Sequence, residues 1–339
     1  MRATFVKTVT ALALILCAAI PAAGYEPVVV IGVRATAGYG SAESTVPQYS
    51  YGPEIDVDLR MLPGERLYLA GWYAGSLMVD PPISVPRDES ALGVLTGGSF
   101  GGLDVELQVG VAASSAMGDD RSTFAPDWSA HAVAPVGAKS TIAVSYSGRY
   151  HQTSVPTETH VQNGADVELR WDPSLSLGLA AGFGARATGF ADRYAATDEL
   201  RRDLAAELGC RAEGLVGYFS FWQTAAAATI VRSNDPQEDR SVYRADLHLS
   251  TDPTSALGLR ATASATASRY LLRDALDAAG LPLGEAVRAV RAAGSVDAQM
   301  TVLPDLFLVG DLGAVYGWSN DASLSGWSAE GSLAVQLRL

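Results

Sequence analysis

The sequence predicts an all-β fold: a transmembrane antiparallel β-barrel of about sixteen strands, with fourteen to eighteen acceptable. Three observations predict it. Charged and apolar residues alternate along segments spread over the chain, and short and long connections alternate between those segments. After the N-terminal segment, no apolar stretch approaches the roughly 18 to 20 residues of a spanning helix. Any crossing of a membrane must therefore use strands.

The segment ADVELRW (165–171) shows the alternation most plainly, because Asp166, Glu168 and Arg170 take every second position and apolar residues lie between them. The same pattern recurs in three more segments: EIDVDLRM (54–61), LDVELQV (103–109) and YRADLHL (243–249). Successive side chains of a strand point to opposite faces. One such strand also suits a soluble core, but the recurrence along the chain indicates water on one side of the sheet and hydrocarbon on the other.

The connections fall into two kinds. Short Pro/Gly/Asp clusters, typical of hairpin turns, lie at 61–66, 98–102, 135–139, 171–175, 251–255 and 303–306. Longer polar segments alternate with them, at about 40–50, 80–91, 117–127, 151–164, 190–199, 232–241, 272–286 and 319–325. This alternation predicts a membrane barrel with short periplasmic turns and longer outer loops.

Two segments have helix-forming composition as well as alternation, 198–213 and 273–294. We expect the first to be a strand, because Asp203, Glu207 and Arg211 would share one of its faces. In the second, a short helix in an outer loop, around Leu271 to Ala279, is an open alternative.

The N-terminal segment predicts export from the cytoplasm. Arg2 and Lys7 precede an apolar run, and small residues follow at 22–24, as in a secretory signal peptide. The expected division is therefore a signal peptide at 1–24 and a barrel at 25–339. Cys210 is then the only cysteine of the mature chain, so no internal disulfide can form. The formal net charge of −13 makes nucleic acid a poor partner.

The C-terminus supports the barrel in a more specific way. Leu333, Val335 and Leu337 alternate with smaller or polar residues, and the pattern runs to Leu339. This segment resembles the closing strand of bacterial outer-membrane β-barrels, which the barrel-assembly machinery recognises. The likeness is to porin-like proteins at the level of the class. It implies a place in the bacterial outer membrane, contact with its lipid, assembly by that machinery and a possible homotrimer.

Mixed charge is expected on the inner face. The positions that we predict to line the lumen are Arg34, Asp56, Asp58, Arg60, Asp104, Glu106, Asp166, Glu168, Arg170, Arg186, Arg211, Asp246, Arg260, Asp297, Asp311 and Glu330. Such a wall holds water and sorts solutes. The sequence therefore favours a porin-like passive channel for small hydrophilic solutes, with a mild preference for cations. The alternative is a surface adhesin or structural barrel with a closed lumen.

No catalytic residue, cofactor or metal site is predicted. His131, His151 and His160 lack the Cys/His spacing of zinc sites. His248 and Ser250 have the His-x-Ser spacing of outer-membrane phospholipases, but His248 alternates with residues predicted to face the lumen. We therefore expect that the protein is not an enzyme.

Overall fold

The computed structural model describes residues 26–40, 44–61, 67–80, 85–116, 122–195 and 198–338. The predicted signal peptide lies outside these residues. Nearly all of the described chain is β-strand. The sixteen strands are β1 Glu26–Gly40, β2 Ser44–Met61, β3 Leu67–Asp80, β4 Val85–Phe100, β5 Leu103–Ala116, β6 Ser122–Gly137, β7 Ser140–Thr153, β8 His160–Ser174, β9 Leu177–Tyr194, β10 Leu200–Val216, β11 Ser220–Ser233, β12 Arg240–Thr254, β13 Leu257–Leu276, β14 Pro282–Leu303, β15 Leu306–Ser319 and β16 Gly326–Arg338.

The sheet closes on itself. Each strand pairs antiparallel with the next, and β1 pairs with β16 from Val30–Arg338 to Gly40–Ser328. The sixteen strands therefore form one barrel without a free edge. In a closed barrel, the backbone N–H and C=O groups of every strand pair with a neighbouring strand. Strands can span a bilayer only in this way, because hydrocarbon offers no hydrogen-bond partners.

The two ends of the barrel differ in their connections. At one end, here called the turn end, five of the seven connections are two residues long. The other two are a three-residue turn after β10 and the five-residue connection 62–66 after β2. At the other, the loop end, the connections have three to six residues. Glu26 pairs with Arg60 beside the β2–β3 connection, so the first strand begins at the turn end. The last strand also ends there.

The loops are shorter than the sequence analysis predicted, although they alternate with the turns in the expected order. The reason is that strand pairing continues into the polar segments. A spanning strand needs about 9 to 11 residues, whereas β13 has 20 and β14 has 22. The excess extends the wall of the barrel beyond what a bilayer covers.

The helix considered around Leu271 to Ala279 is wrong. Strand β13 continues to Leu276, and Asp274 pairs with Ala286 of β14 across a register shift. Cross-strand pairing overrides helix propensity here, since propensity is a weak preference. The other ambiguous segment forms β10, as expected. Among the described residues, no helix has both the length and the apolar character needed to cross a membrane.

The outer face of the barrel is apolar. Val167 and Leu169 of β8 are 44 % and 53 % exposed, and Leu247 and Leu249 of β12 are 41 % and 43 % exposed. These are the apolar partners in the alternating segments. In a soluble sheet they would be buried in a dry core, so their exposure indicates that lipid covers this face.

Candidate functional site

The candidate site is the inner wall of the barrel. Residues directly paired across antiparallel strands point to the same side of the sheet. Asp166 pairs with Ser145 on β7 and with Gly184 on β9, and the apolar Val167 beside it belongs to the outer face. Following such pairs from strand to strand assigns each position to the inner or the outer face.

The register places the predicted lumen positions on one face. Those whose side chains are described lie on the inner face: Asp104, Glu106, Asp166, Glu168, Arg170, Arg186, Arg211, Asp246, Arg260, Asp297, Asp311 and Glu330. For Arg34, Asp56, Asp58 and Arg60 only the backbone is described, and the register aligns them with the same rows, as in the pairing of Arg34 with Ala334.

Five of the inner charges form one network, which we call the β8–β10 cluster: Glu168, Arg170, Asp172, Arg211 and Glu213. Arg170 binds Asp172 through Nε (2.8 Å) and Glu213 through Nη2 (2.7 Å). Arg211 binds Glu168 (2.7 Å) and approaches Glu213 (3.6 Å). Three carboxylates against two guanidinium groups leave a net negative charge on this part of the wall.

The cluster spans three strands because the middle one carries small residues on its inner face. Ala180 and Gly182 of β9 pair with β8 on one side and β10 on the other, and Gly178 pairs with Glu213 of β10 beside a register shift in the β8–β9 pairing. A Cβ added at Gly178 would lie 2.9 Å from Asp172 Oδ1 and 3.1 Å from Arg170 Nη2. The glycine therefore leaves the space through which side chains of β8 and β10 meet.

Sequence reasoning missed Asp172 and Glu213. Both continue an alternation that was already identified, since Asp172 follows Arg170 and Glu213 follows Arg211 at the next inner position. Asp172 was assigned to the turn at 171–175, but β8 extends to Ser174. Extending the alternation by one more inner position on each strand would have included both Asp172 and Glu213.

The other inner charges form smaller groups. Arg244 Nε binds Asp246 at 2.7 Å. Arg260 pairs in register with Asp297, and Asp297 pairs with Asp311, which also hydrogen-bonds Ser332. The wall thus combines compensated ion pairs with acids that face each other.

A second network lies at the loop end. Glu238, in the connection between β11 and β12, lies 3.2 Å from Arg193 Nη2, 3.3 Å from Arg201 Nη1 and 3.4 Å from Arg240 Nη1. Arg201 is almost fully buried and also binds Asp203 at 2.6 Å. The Glu238 carboxylate therefore binds arginines of three strands, β9, β10 and β12, at the rim of the barrel.

The described residues contain no group of three or more His, Cys, Asp or Glu side chains that could hold a metal ion. His248 pairs with Gln223 and Thr262, so it belongs to the inner face. Cys210 is exposed, and its register assigns it to the outer face.

Comparison with solved structures identifies the architecture. OpdK of Pseudomonas aeruginosa superposes with a TM-score of 0.54 at 10 % identity, over 93 % of this chain and 99 % of OpdK. The fold is that of a bacterial outer-membrane β-barrel. The trimer form of OmpT, an outer membrane protein of Vibrio cholerae, superposes with a TM-score of 0.51 at 10 % identity, over 93 % of this chain and 99 % of that one. No family model and no curated protein matches the sequence.

The outer-membrane barrel fold and the apolar outer face agree on where the chain resides. A closed barrel that exposes leucine and valine to its surroundings requires a bilayer. The barrels that it resembles are outer-membrane proteins. The chain is therefore an outer-membrane barrel, as the sequence predicted.

Proposed function

We propose that this outer-membrane barrel is a passive, porin-like channel for small hydrophilic solutes. The observation that carries the proposal is a closed barrel of sixteen strands with charged side chains on its inner wall. Barrels of sixteen to eighteen strands are too wide for side chains alone to fill and leave an aqueous channel. The proposal includes no catalysis.

The wall itself would set the selectivity. Between the described strands, from Glu26 to Arg338, each connection has six residues or fewer, which is too short to fold across the lumen. The β8–β10 cluster, with its excess of carboxylates, is the candidate selectivity element, and it supports a mild preference for cations.

Planar-bilayer conductance tests the channel. The folded protein should give discrete, stable conductance steps in KCl, and a salt gradient should give a reversal potential that favours K⁺. Heat-modifiable migration on a gel confirms folding of the same sample. A correctly folded protein without conductance would contradict the channel and favour an adhesin or structural barrel with a closed lumen.

Two features of the resembled barrels give further probes. OpdK was also solved with vanillate, so vanillate is a reasonable first solute in liposome-swelling assays of this chain. The trimer form of OmpT makes a homotrimer the assembly to test by native mass spectrometry. Assembly by the barrel-assembly machinery stays a prediction, to be tested by depletion of that machinery.

A further inference from the structure

We propose that His151 and His160 form a binding site for a late first-row divalent metal ion, of the Cu²⁺, Ni²⁺ or Zn²⁺ type, at the loop end of the inner wall. The two residues are a directly opposed pair on β7 and β8, the last before the connecting loop. Ser145 and Asp166, the inner-face pair of the same two strands, lie six residues away on each strand, so the histidine pair shares their face. The site does not depend on the proposed channel activity.

The rings already have the separation that one shared ion requires. Their centroids are 5.1 Å apart, and their planes are tilted by 38°. With metal–nitrogen bonds of about 2.0 to 2.1 Å and a roughly tetrahedral angle at the metal, two imidazoles on one ion have centroids about 5 Å apart. The observed separation of the rings therefore matches that of two imidazoles on one shared ion.

One histidine is also held in a tautomer suited to binding. His160 Nδ1 lies 2.8 Å from the carbonyl oxygen of Glu158. A carbonyl only accepts hydrogen bonds, so Nδ1 carries the proton and donates it, and Nε2 keeps its lone pair. Metal-binding histidines almost always have such a partner on the other nitrogen. Phe190 packs on the same ring at 5.7 Å between centroids, which limits its movement.

The surrounding charges allow a cation to bind. Arg193 and Arg201 lie over the Phe190 ring, at 5.6 Å and 4.8 Å from its centroid, and both bind Glu238. Arg149, two residues from His151 on the same strand, opposes a cation, and Glu158 of the adjacent loop compensates for part of that charge. The two imidazoles would be the protein ligands and water would complete the coordination. Nitrogen ligands select Cu²⁺, Ni²⁺ and Zn²⁺ over Ca²⁺ and Mg²⁺, which prefer oxygen.

The chain supplies its own matched controls, because it has four histidines in all. His131 and His248 also belong to the inner face, but His131 hydrogen-bonds Ser145 and His248 pairs with Gln223 and Thr262. Neither is directly opposite another histidine. Substituting them removes an inner imidazole without removing the opposed pair.

The test is Cu²⁺ titration of the tag-free, folded full-length barrel in detergent, followed by electron paramagnetic resonance. We expect one equivalent of Cu²⁺ with two imidazole nitrogens. His151→Gln and His160→Gln should each weaken binding about tenfold or more and leave a single imidazole nitrogen. His131→Gln and His248→Gln should bind as the unchanged protein does.

Two results would overturn the site: absence of binding by the folded barrel, or an unchanged copper signal in the double variant of His151 and His160. Gel migration establishes that each variant is folded. A second measurement needs no variant, since a ligand that binds only the folded state raises its stability. Cu²⁺ should raise the temperature at which the barrel loses its folded migration, whereas Ca²⁺ should not.

Discussion

Arg170 shows how one side chain controls the local charge of the wall. It lies between Asp172 and Glu213 and binds both. Arg170 and Asp172 are each more than a third exposed, so water screens their ion pair and its effect on stability is small. The effect of the arginine on permeating ions is larger, because removal of the guanidinium leaves Asp172 without its ion-pair partner and leaves Glu213 with Arg211 alone.

Arg170→Ala should therefore increase cation selectivity, since it removes one positive charge from the β8–β10 cluster. The measurement is the reversal potential of single channels in a KCl gradient. Arg170→Lys keeps the charge but loses the planar guanidinium that hydrogen-bonds a carboxylate through two N–H groups. Its reversal potential should remain close to that of the unchanged protein. Equal reversal potentials for the alanine and lysine variants would contradict a role of this charge in selectivity.

Gly178 gives a second prediction at this scale. Its missing side chain leaves room for Asp172 and Arg170, so Gly178→Ala should displace the ends of these two side chains and destabilise the barrel by about 1 kcal/mol, the lower end of overpacking costs. The urea midpoint in detergent is the measurement. Gly189 lies on the same strand with no heavy atom within 4 Å of an added Cβ, and Gly189→Ala should leave the midpoint unchanged. A similar shift for both variants would refute the packing argument.

Three connections at the loop end share one construction. Each contains a single 3-10 turn, at Pro156–Glu158, Pro236–Glu238 and Ala322–Leu324. The backbone N–H of the last strand residue donates to a side-chain oxygen six positions on: Thr153 to Thr159 at 3.2 Å, Ser233 to Asp239 at 2.7 Å and Ser319 to Ser325 at 3.0 Å. These three loops follow β7, β11 and β15, at intervals of four strands.

Asp321 makes one of these loops sensitive to pH. It is fully buried and accepts hydrogen bonds from the Ser323 hydroxyl (2.5 Å) and backbone N–H (3.0 Å). The hydroxyl bond is the main reason that the pKa of Asp321 lies below its usual value. A lowered pKa means that the carboxylate stabilises the folded loop above its ordinary pKa of about 3.9, and that this stabilisation is lost as the pH falls through the folded-state value.

Asp321→Asn should thus speed amide hydrogen exchange in the loop at neutral pH, at a cost of about 1 kcal/mol. The difference from the unchanged protein should shrink as the pH falls below the ordinary pKa of Asp321 toward its lower folded-state pKa, where the buried carboxylate protonates. Asp321→Glu is the control variant, because it keeps the carboxylate charge but changes the position of the carboxylate. A difference that is constant across this pH range would show that the carboxylate charge is not responsible.

The period of each strand could be predicted from the sequence, and its ends could not. Alternation assigned Asp166, Arg170 and Asp246 to the same face as the strand register does. The alternation is a strong signal because a shift of one residue would move every side chain of a strand to the other face. Polar residues at strand ends carry no such signal. Whether His151 lies directly opposite His160 depends on where β7 ends and β8 begins. Those ends are set by strand pairing, and local composition does not predict them.

At the scale of the molecule, the same substitution to arginine should destabilise the barrel far more on the outer face than on the inner face. Leu247 and His248 are neighbours near the middle of β12, one on the outer face and one on the inner. Leu247→Arg should destabilise the barrel in lipid vesicles by about 2 to 4 kcal/mol, because it places a charge in hydrocarbon. His248→Arg should cost much less. Urea titration of the folded protein in vesicles measures both, and equal costs would contradict the assignment of the faces.

The seam between β1 and β16 constrains how the molecule is made. The first strand finds its second neighbour only when the last strand arrives, so every incomplete chain has two open edges that can join a neighbouring polypeptide. Contacts between the extreme ends of a chain are also the slowest to form. Insertion should therefore wait for the whole polypeptide to be exported, and a product that stops at Ser319 should aggregate or be degraded in the periplasm instead of accumulating in the membrane.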